Sequence, residues 1–143
     1  MEMKRLILIT VLSVLIQASY GLAAGAEGVS VYADAATIEV VTNDEDGQVR
    51  ETTIWVVVVE DAAYINTSGT TWGENVERTP RLTVRLADSS RAFDIRFVED
   101  DSARQKIHHA FREKYGFQDK LVSFFMDPAE STIMQLVETK EGK

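Results

Sequence analysis

The chain has no cysteine, and it has only two histidines, two prolines and eight glycines in 143 residues. The missing thiol excludes a disulfide scaffold, a Cys-based zinc or iron–sulfur site and a thiolate nucleophile. The shortage of Gly and Pro excludes a fibrous or low-complexity chain. Cations are also few, 15 Lys+Arg against 23 Asp+Glu for a formal net charge of -8. That sign opposes binding to a phosphate backbone, so nucleic acid is not the expected partner. Ser68 and Ser123 stand outside any G-x-S-x-G context, which leaves hydrolase chemistry without support. What is present is a 45% hydrophobic, 27% charged composition, that of a globular chain long enough for one domain with its own core.

Residues 1–26 read as an address rather than as fold. Lys4 and Arg5 form a positive n-region, and Leu6–Ile16 is apolar apart from Thr10 and Ser13. Ala24-Gly25-Ala26 fits the small-residue rule for cleavage before Glu27. The apolar stretch is shorter than the ~20 residues that span a bilayer, with an uncleaved anchor as the alternative. Without a lipobox cysteine the chain is no bacterial lipoprotein. The expectation is a secretory signal peptide over 1–26 and one domain over 27–143. That domain would be exported, periplasmic or secreted, and free of the membrane after cleavage. With no disulfide to staple it, it must rely on its core.

Along the mature chain, the β-branched run Thr37–Thr42 predicts a first strand, and Asn43–Gly47 an acidic turn. Thr52–Val59 is apolar without alternation and predicts a strand covered on both faces. Glu60-Asp61 breaks the run, and Ala62–Thr67 returns as a hairpin partner. A loop follows over Asn66–Gly73, with one or two helical turns over Trp72–Arg78 before Pro80. Arg81–Leu86 and Arg91–Val98 alternate cleanly about the turn Asp88-Ser89-Ser90, which places Leu82, Val84, Leu86, Phe93, Ile95 and Phe97 on one face. Asp100-Asp101-Ser102 caps a helix carrying Ala103, Ile107, Ala110, Phe111 and Tyr115 on one stripe, and Gly116 closes it. Leu121–Met126 is short and apolar, Asp127-Pro128 turns, and Thr132–Val137 is a last strand. Antiparallel hairpins with one packed helix favour a small barrel, which hides strand edges.

Two stretches carry a family resemblance. Gly47-x-x-Arg50-x-Thr52-Thr53-Ile54-Trp55 is similar to a G-x-x-R-x-T-P-L/V-W strand start, and Trp72-x-x-Asn75-Val76-x-x-x-Pro80 to a W-x-x-N-L-x-x-N-P stretch. Both patterns belong to the split β-barrel flavin-binding superfamily, the pyridoxamine 5′-phosphate oxidase-like proteins with their deazaflavin-dependent nitroreductase-like members. Lys114-Tyr115-Gly116, Asp127-Pro128 and Ser131–Val137 resemble a family of unknown function within it. The resemblance covers roughly residues 35–138, about one domain. It implies a mainly β, α+β fold, a split β-barrel of about six antiparallel strands with one packed helix. It also implies a homodimer with cofactor clefts at the subunit interface, and a flavin- or deazaflavin-dependent oxidoreductase of unknown substrate. In such proteins the ring lies near Thr53, Ile54 and Trp55. The phosphate of FMN or a deazaflavin coenzyme is held by the loop that here contains Thr67, Ser68, Thr70 and Thr71, while Trp72 and Asn75 shape the substrate side. The chain departs from the pattern in two places. No Arg or Lys stands near Thr71 and Trp72, and Asp44-Glu45-Asp46 replaces a basic stretch. Both changes disfavour a dianionic phosphate. A cofactor-free barrel that binds a small-molecule ligand or a partner is therefore the alternative.

The remaining polar signals have plainer explanations. Arg78, Arg81, Arg85, Arg91 and Arg96 could form a substitute anion site or a dimer contact to the acidic turn, but a solvated, edge-protecting face explains them as well. Trp72 could stack on a flat ligand or anchor a loop, whereas Trp55, in its valine run, reads as core. His108 and His109 are ~100° apart on a helix and cannot chelate one metal together. Glu99, Asp100 and Asp101 are explained by helix capping. Asn66-Thr67-Ser68 matches a glycosylation sequon that has meaning only in a eukaryotic secretory route. No metal site is expected.

Overall fold

The β-branched run around Trp55 folds as two strands lying at opposite edges of one sheet. In the computed structural model, which describes residues 28–116 and 130–140, β1 (Ile38–Asn43) pairs with β2 (Val49–Ile54), and β3 (Val57–Val59) pairs with β4 (Ala62–Thr67). Helix α1 (Thr71–Arg78) leads into the hairpin β5 (Arg81–Leu86) and β6 (Ser89–Phe97). Helix α2 (Asp101–Tyr115) follows, and then β7 (Thr132–Glu138). The segment 1–26 expected as a signal peptide, the apolar run Leu121–Met126 and the turn Asp127-Pro128 lie outside the described residues.

All seven strands pair antiparallel in the order β2-β1-β5-β6-β7-β4-β3. Only Trp55 and Val56 separate β2 from β3, so the two edges of the sheet are joined by a two-residue corner. A flat sheet cannot satisfy that connection. The sheet rolls into a half-barrel, mainly β with two helices. This corrects the single strand expected over Thr52–Val59. β2 alternates between exposed and half-buried side chains, and only Val56 and Val57 at the corner are fully buried. A strand that must serve both edges has to leave the ladder where it changes partner. The strand count becomes seven, and the turns before Pro80 make a second helix.

The hairpin turns follow their chemistry. Glu60 and Asp61 both have positive φ (50° and 64°), the backbone of a two-residue type I′ turn, whose twist matches its strands. The turn between β5 and β6 is Ala87-Asp88 rather than Asp88-Ser89-Ser90, with Ala87 at φ 51°. Ser89 and Ser90 are already paired with Leu86 and Arg85.

The inner face of the sheet carries Val40, Ile65, Val84, Phe93 and Leu136, and α1 adds Trp72 and Val76 to that cluster. Tyr32, from the 3-10 turn Val29–Ala33, is 2% exposed and meets Phe93 edge-on with ring centroids 6.0 Å apart. A second cluster lies under α2, where Ile107 and Phe111 pack on Val57 and Ile133. Asp100 caps α2 by accepting from the Ala103 N–H at 2.9 Å, and Gly116 ends it at φ 53°.

The corner is held by the end of α2. The Tyr115 hydroxyl accepts from the Val56 N–H at 3.0 Å and lies 2.9 Å from the carbonyls of both Val56 and Ala36, donating its one proton to either. Lys114 Nζ donates to the carbonyls of Val56 (2.8 Å) and Tyr32 (3.2 Å). Burial lowers the Lys114 pKa, against an opposing pull from Asp34, and burial raises that of Tyr115. Val56 is 0% exposed, so its backbone polar groups need these partners in place of ladder bonds.

Two substitutions test this packing. Tyr115→Phe strands the Val56 N–H and should cost about 1–3 kcal/mol, read from the urea midpoint at unchanged m-value. Gly73→Ala places a Cβ 2.7 Å from Thr67 Cγ2. Urea unfolding should register that overpacking as a loss of about 1–3 kcal/mol.

Candidate functional site

The residues singled out in the sequence fall into two groups. The first lies where β2 meets the corner. Thr53 is exposed opposite Glu39, and Ile54 is half-buried opposite Ile38. Trp55 is half-buried and stacks flat on Tyr115, with centroids 4.4 Å apart and planes 9° apart. As expected, Trp55 packs against the core, here the second cluster, while the part of it left exposed lies at the edge of the sheet. Among the described strands β2 pairs only with β1, so alternate backbone groups face away from the ladder next to this stack.

The second group surrounds the start of α1, and its polar atoms turn inward. Thr67 is buried, and its hydroxyl is hydrogen-bonded to that of Thr70. Thr70 caps the helix, its hydroxyl accepting from the Gly73 N–H at 3.2 Å and its carbonyl from Glu74 at 3.0 Å. Ser68 is half-buried and Thr71 exposed. Trp72 is 5% exposed within the main core, so its ring packs against protein. Gly73 is buried where α1 rides closest to β4, a close approach that only glycine permits without a shift. A capping motif and an anion loop use the same residue types, and here the hydroxyls serve the cap.

Asn75 is 4% exposed, and its Nδ2 donates to Thr42 Oγ1 (3.1 Å) and Asp44 Oδ1 (2.7 Å). Its Oδ1 accepts from Arg78 at 2.9 Å, and Arg78 also donates to the Asn43 carbonyl at 3.0 Å. Asp44 is gripped by Arg50 through two bonds of 2.8 Å. The network ties α1 to the β1–β2 turn, and the turn's first carboxylate is neutralised within the chain. The bonds from Arg50, then that from Asn75, hold the Asp44 carboxyl below its ordinary 3.8. Arg50 entered the sequence analysis only as a motif residue, without a role, although its place across the turn from Thr42 is the signal that assigns one.

The chain does not bring the two groups together. Ile54 sits opposite Ile38 at one end of β1, whereas Asn75 binds Thr42 and Asp44 at the other. Four strand steps separate Ile38 from Thr42, about 13 Å.

Of the arginines singled out, Arg78, Arg81, Arg85 and Arg91 have partners on the chain. Arg81 pairs with Asp94 at 3.5 Å, Arg85 with Glu39 at 3.2 Å and also with Glu51, and Arg91 with Glu138 while lying 5.3 Å over the Phe93 ring. His108 Nε2 is 3.3 Å from Ser131 Oγ, and His109 meets Glu113 on the exposed side of α2. No group of His, Asp and Glu among the described residues is arranged to hold a metal ion. A cleft of about 560 Å³ opens between the end of β6 and the starts of α2 and β7. There Arg104 bridges the carbonyls of Val98 (3.3 Å) and Ser131 (2.7 Å) beneath a rim that includes Glu77, Glu99 and Glu130.

A family model described as "Uncharacterized protein conserved in bacteria (DUF2255)" matches residues 29–136. No curated protein matches by sequence. Among solved structures, the heme storage protein HutZ from Vibrio cholerae superposes with a TM-score of 0.62 at 12% identity, over 79% of this chain and 89% of that one. A candidate pyridoxamine 5′-phosphate oxidase from Listeria innocua gives 0.60 at 12% identity, over 78% and 90%. A FAD-binding protein from Mesorhizobium loti gives 0.58 at 11%, over 82% and 91%. At such identities the likeness is one of fold.

The Asp44 network has a signed pH dependence. A carboxyl with a lowered folded pKa stabilises fully above its unfolded value, and the contribution disappears as pH falls through the folded one. In urea titrations across pH, Asp44→Asn should therefore be less stable than the parent by a constant margin near neutrality. The margin should narrow below the ordinary carboxylate value of 3.8.

Proposed function

We propose that this chain, which belongs to the DUF2255 family of proteins conserved in bacteria, binds a flat aromatic cofactor of the flavin or heme class at the β2–β3 corner. The observation that carries the reading is the Trp55–Tyr115 stack beside an open strand edge. A planar ring could lie against the indole and Ile54, while the Thr53 hydroxyl and outward β2 backbone groups bond its polar rim. The fold is the split barrel of the pyridoxamine 5′-phosphate oxidase-like superfamily, and its structural neighbours are described as heme storage and FAD-binding proteins.

The fit differs for the two ends of a flavin nucleotide. The corner suits a ring. The Thr67–Thr71 loop suits a phosphate poorly, because the Thr67 and Thr70 hydroxyls are engaged in the cap and no basic residue stands in the loop. A bound flavin would supply hydride chemistry. The chain's own part would be to orient the ring and shield one face from water. The engaged hydroxyls favour one alternative, a cofactor-free barrel using the same corner for a small aromatic ligand.

A second copy completes the proposal. Among the described residues nothing covers the outer face of β2, β1, β5 and β6, where Val49 is 65% exposed. A homodimer packed there would enclose the corner. We also propose that the domain acts after export, in the periplasm or outside the cell, on the strength of the leader-like residues 1–26.

The test is the absorbance spectrum of the purified protein, with mass spectrometry of what heat releases and titration with FMN, a deazaflavin and hemin. The expected result is a chromophore taken up at one per chain. Trp55→Leu should weaken uptake about tenfold, roughly the worth of one good ring contact. A colourless protein that takes up none of the three would overturn the cofactor reading.

A further inference from the structure

Two carboxylates stand beside the corner on the outer face of the sheet. Glu39 is opposite Thr53 in the β1–β2 register, one strand spacing of about 5 Å away. Glu51 precedes Thr53 by two residues, about 7 Å along the same face of β2. Arg85, opposite Glu39 on β5, reaches both of them through one nitrogen, Nη1. Each glutamate spends only Oε1 on that contact, which leaves its Oε2 as an acceptor at the surface. The three side chains are 38%, 49% and 44% exposed for Glu39, Glu51 and Arg85, so a ligand can reach them. Trp55 lies on the same side of the sheet, because the strand registers trace the Thr53 face round to the cluster under α2 against which Trp55 packs.

Building on the ring site above, we propose that its ligand is a flat ring with an uncharged polyol tail, of the class of riboflavin rather than its phosphate esters, and that Glu39 and Glu51 make the selection. Carboxylate oxygens accept hydrogen bonds from hydroxyls. An aromatic side chain beside such acceptors fits a ring that bears a hydroxylated chain. A phosphate dianion at the end of that chain meets the same oxygens as like charges, which disfavours it.

The cations that would offset the two carboxylates are committed elsewhere. Arg85 is shared between the glutamates, and Lys114 Nζ is bonded to the carbonyls of Val56 and Tyr32. Arg112, one turn before Tyr115, is exposed, and a solvated cation there adds little. The Thr67 and Thr70 hydroxyls serve the helix cap. The phosphorylated cofactors implied by the split-barrel resemblance therefore do not fit this chain, whereas their ring does. A second copy on this face would enclose the carboxylates and sharpen the selection, because less water and salt would screen them.

The experiment titrates the full chain with riboflavin, FMN, lumiflavin and hemin, the flavins read by quenching of their fluorescence and hemin by its absorbance. At low ionic strength riboflavin should bind about tenfold more tightly than FMN, and high salt should shrink that ratio by screening the repulsion. Lumiflavin, the same ring without the polyol, should bind more weakly than riboflavin. The double variant Glu39→Gln, Glu51→Gln keeps an acceptor oxygen at each position and releases Arg85, so it should bring FMN to within about twofold of riboflavin. Both residues are exposed, and circular dichroism should show the variant folded. FMN binding as tightly as riboflavin, a ratio unmoved by the double variant, or lumiflavin matching riboflavin would overturn this selection and leave the ring site standing. Uptake of hemin alone would do the same. A protein that takes up none of the four loses the ring site, and the selection with it.

Discussion

Everything in this barrel depends on how the backbone of one residue, Val56, is satisfied. A strand that serves both edges of a sheet must break its ladder once, and the break leaves a buried N–H and C=O without strand partners. The Tyr115 hydroxyl and the Lys114 ammonium fill that need from the end of α2. The same two side chains reach the carbonyls of Ala36 and Tyr32. Three segments distant in sequence therefore converge on one corner. The Lys114 ammonium donates to the carbonyls of Val56 and Tyr32 in a partly desolvated place, and it is the desolvation that lowers its pKa.

The candidate ring site follows from that corner. Tyr115 orients Trp55 by stacking on it, so the surface offered to a ligand is set by the contact that closes the barrel. The loop at the start of α1 is built the other way round. Its hydroxyls stabilise the helix, and the helix in turn delivers Trp72 and Val76 to the core and Asn75 to the β1–β2 turn. One site faces out because its backbone is completed from behind. The other is closed because its polar atoms complete each other.

Much of the fold was legible in the sequence because its signals are local. The alternation over 81–97, the polar break at Glu60-Asp61 and the Asp100 cap each act within a few residues, and the structure reproduces them. The split at Trp55-Val56 was not legible, since valines on both sides favour strand equally and the partners that stabilise the break lie 59 residues away. The site was harder still. Thr, Ser and Gly before a helix are the residues of a phosphate loop and of an N-cap alike, and only geometry distinguishes the two. Asp44 read as an unbalanced charge because Arg50 and Arg78 approach it through the turn and from the helix.

The position of β7 has a consequence for biosynthesis. It lies in the middle of the sheet, joining β6 to β4 and so holding together the β2-β1-β5-β6 and β4-β3 halves. During translation those halves can be made early, but each keeps an unpaired edge until residue 138 is available. Contacts of such long sequence separation form slowly, and exposed edges invite wrong pairings while they wait. The domain is therefore a late folder, which stays open until β7 has been made.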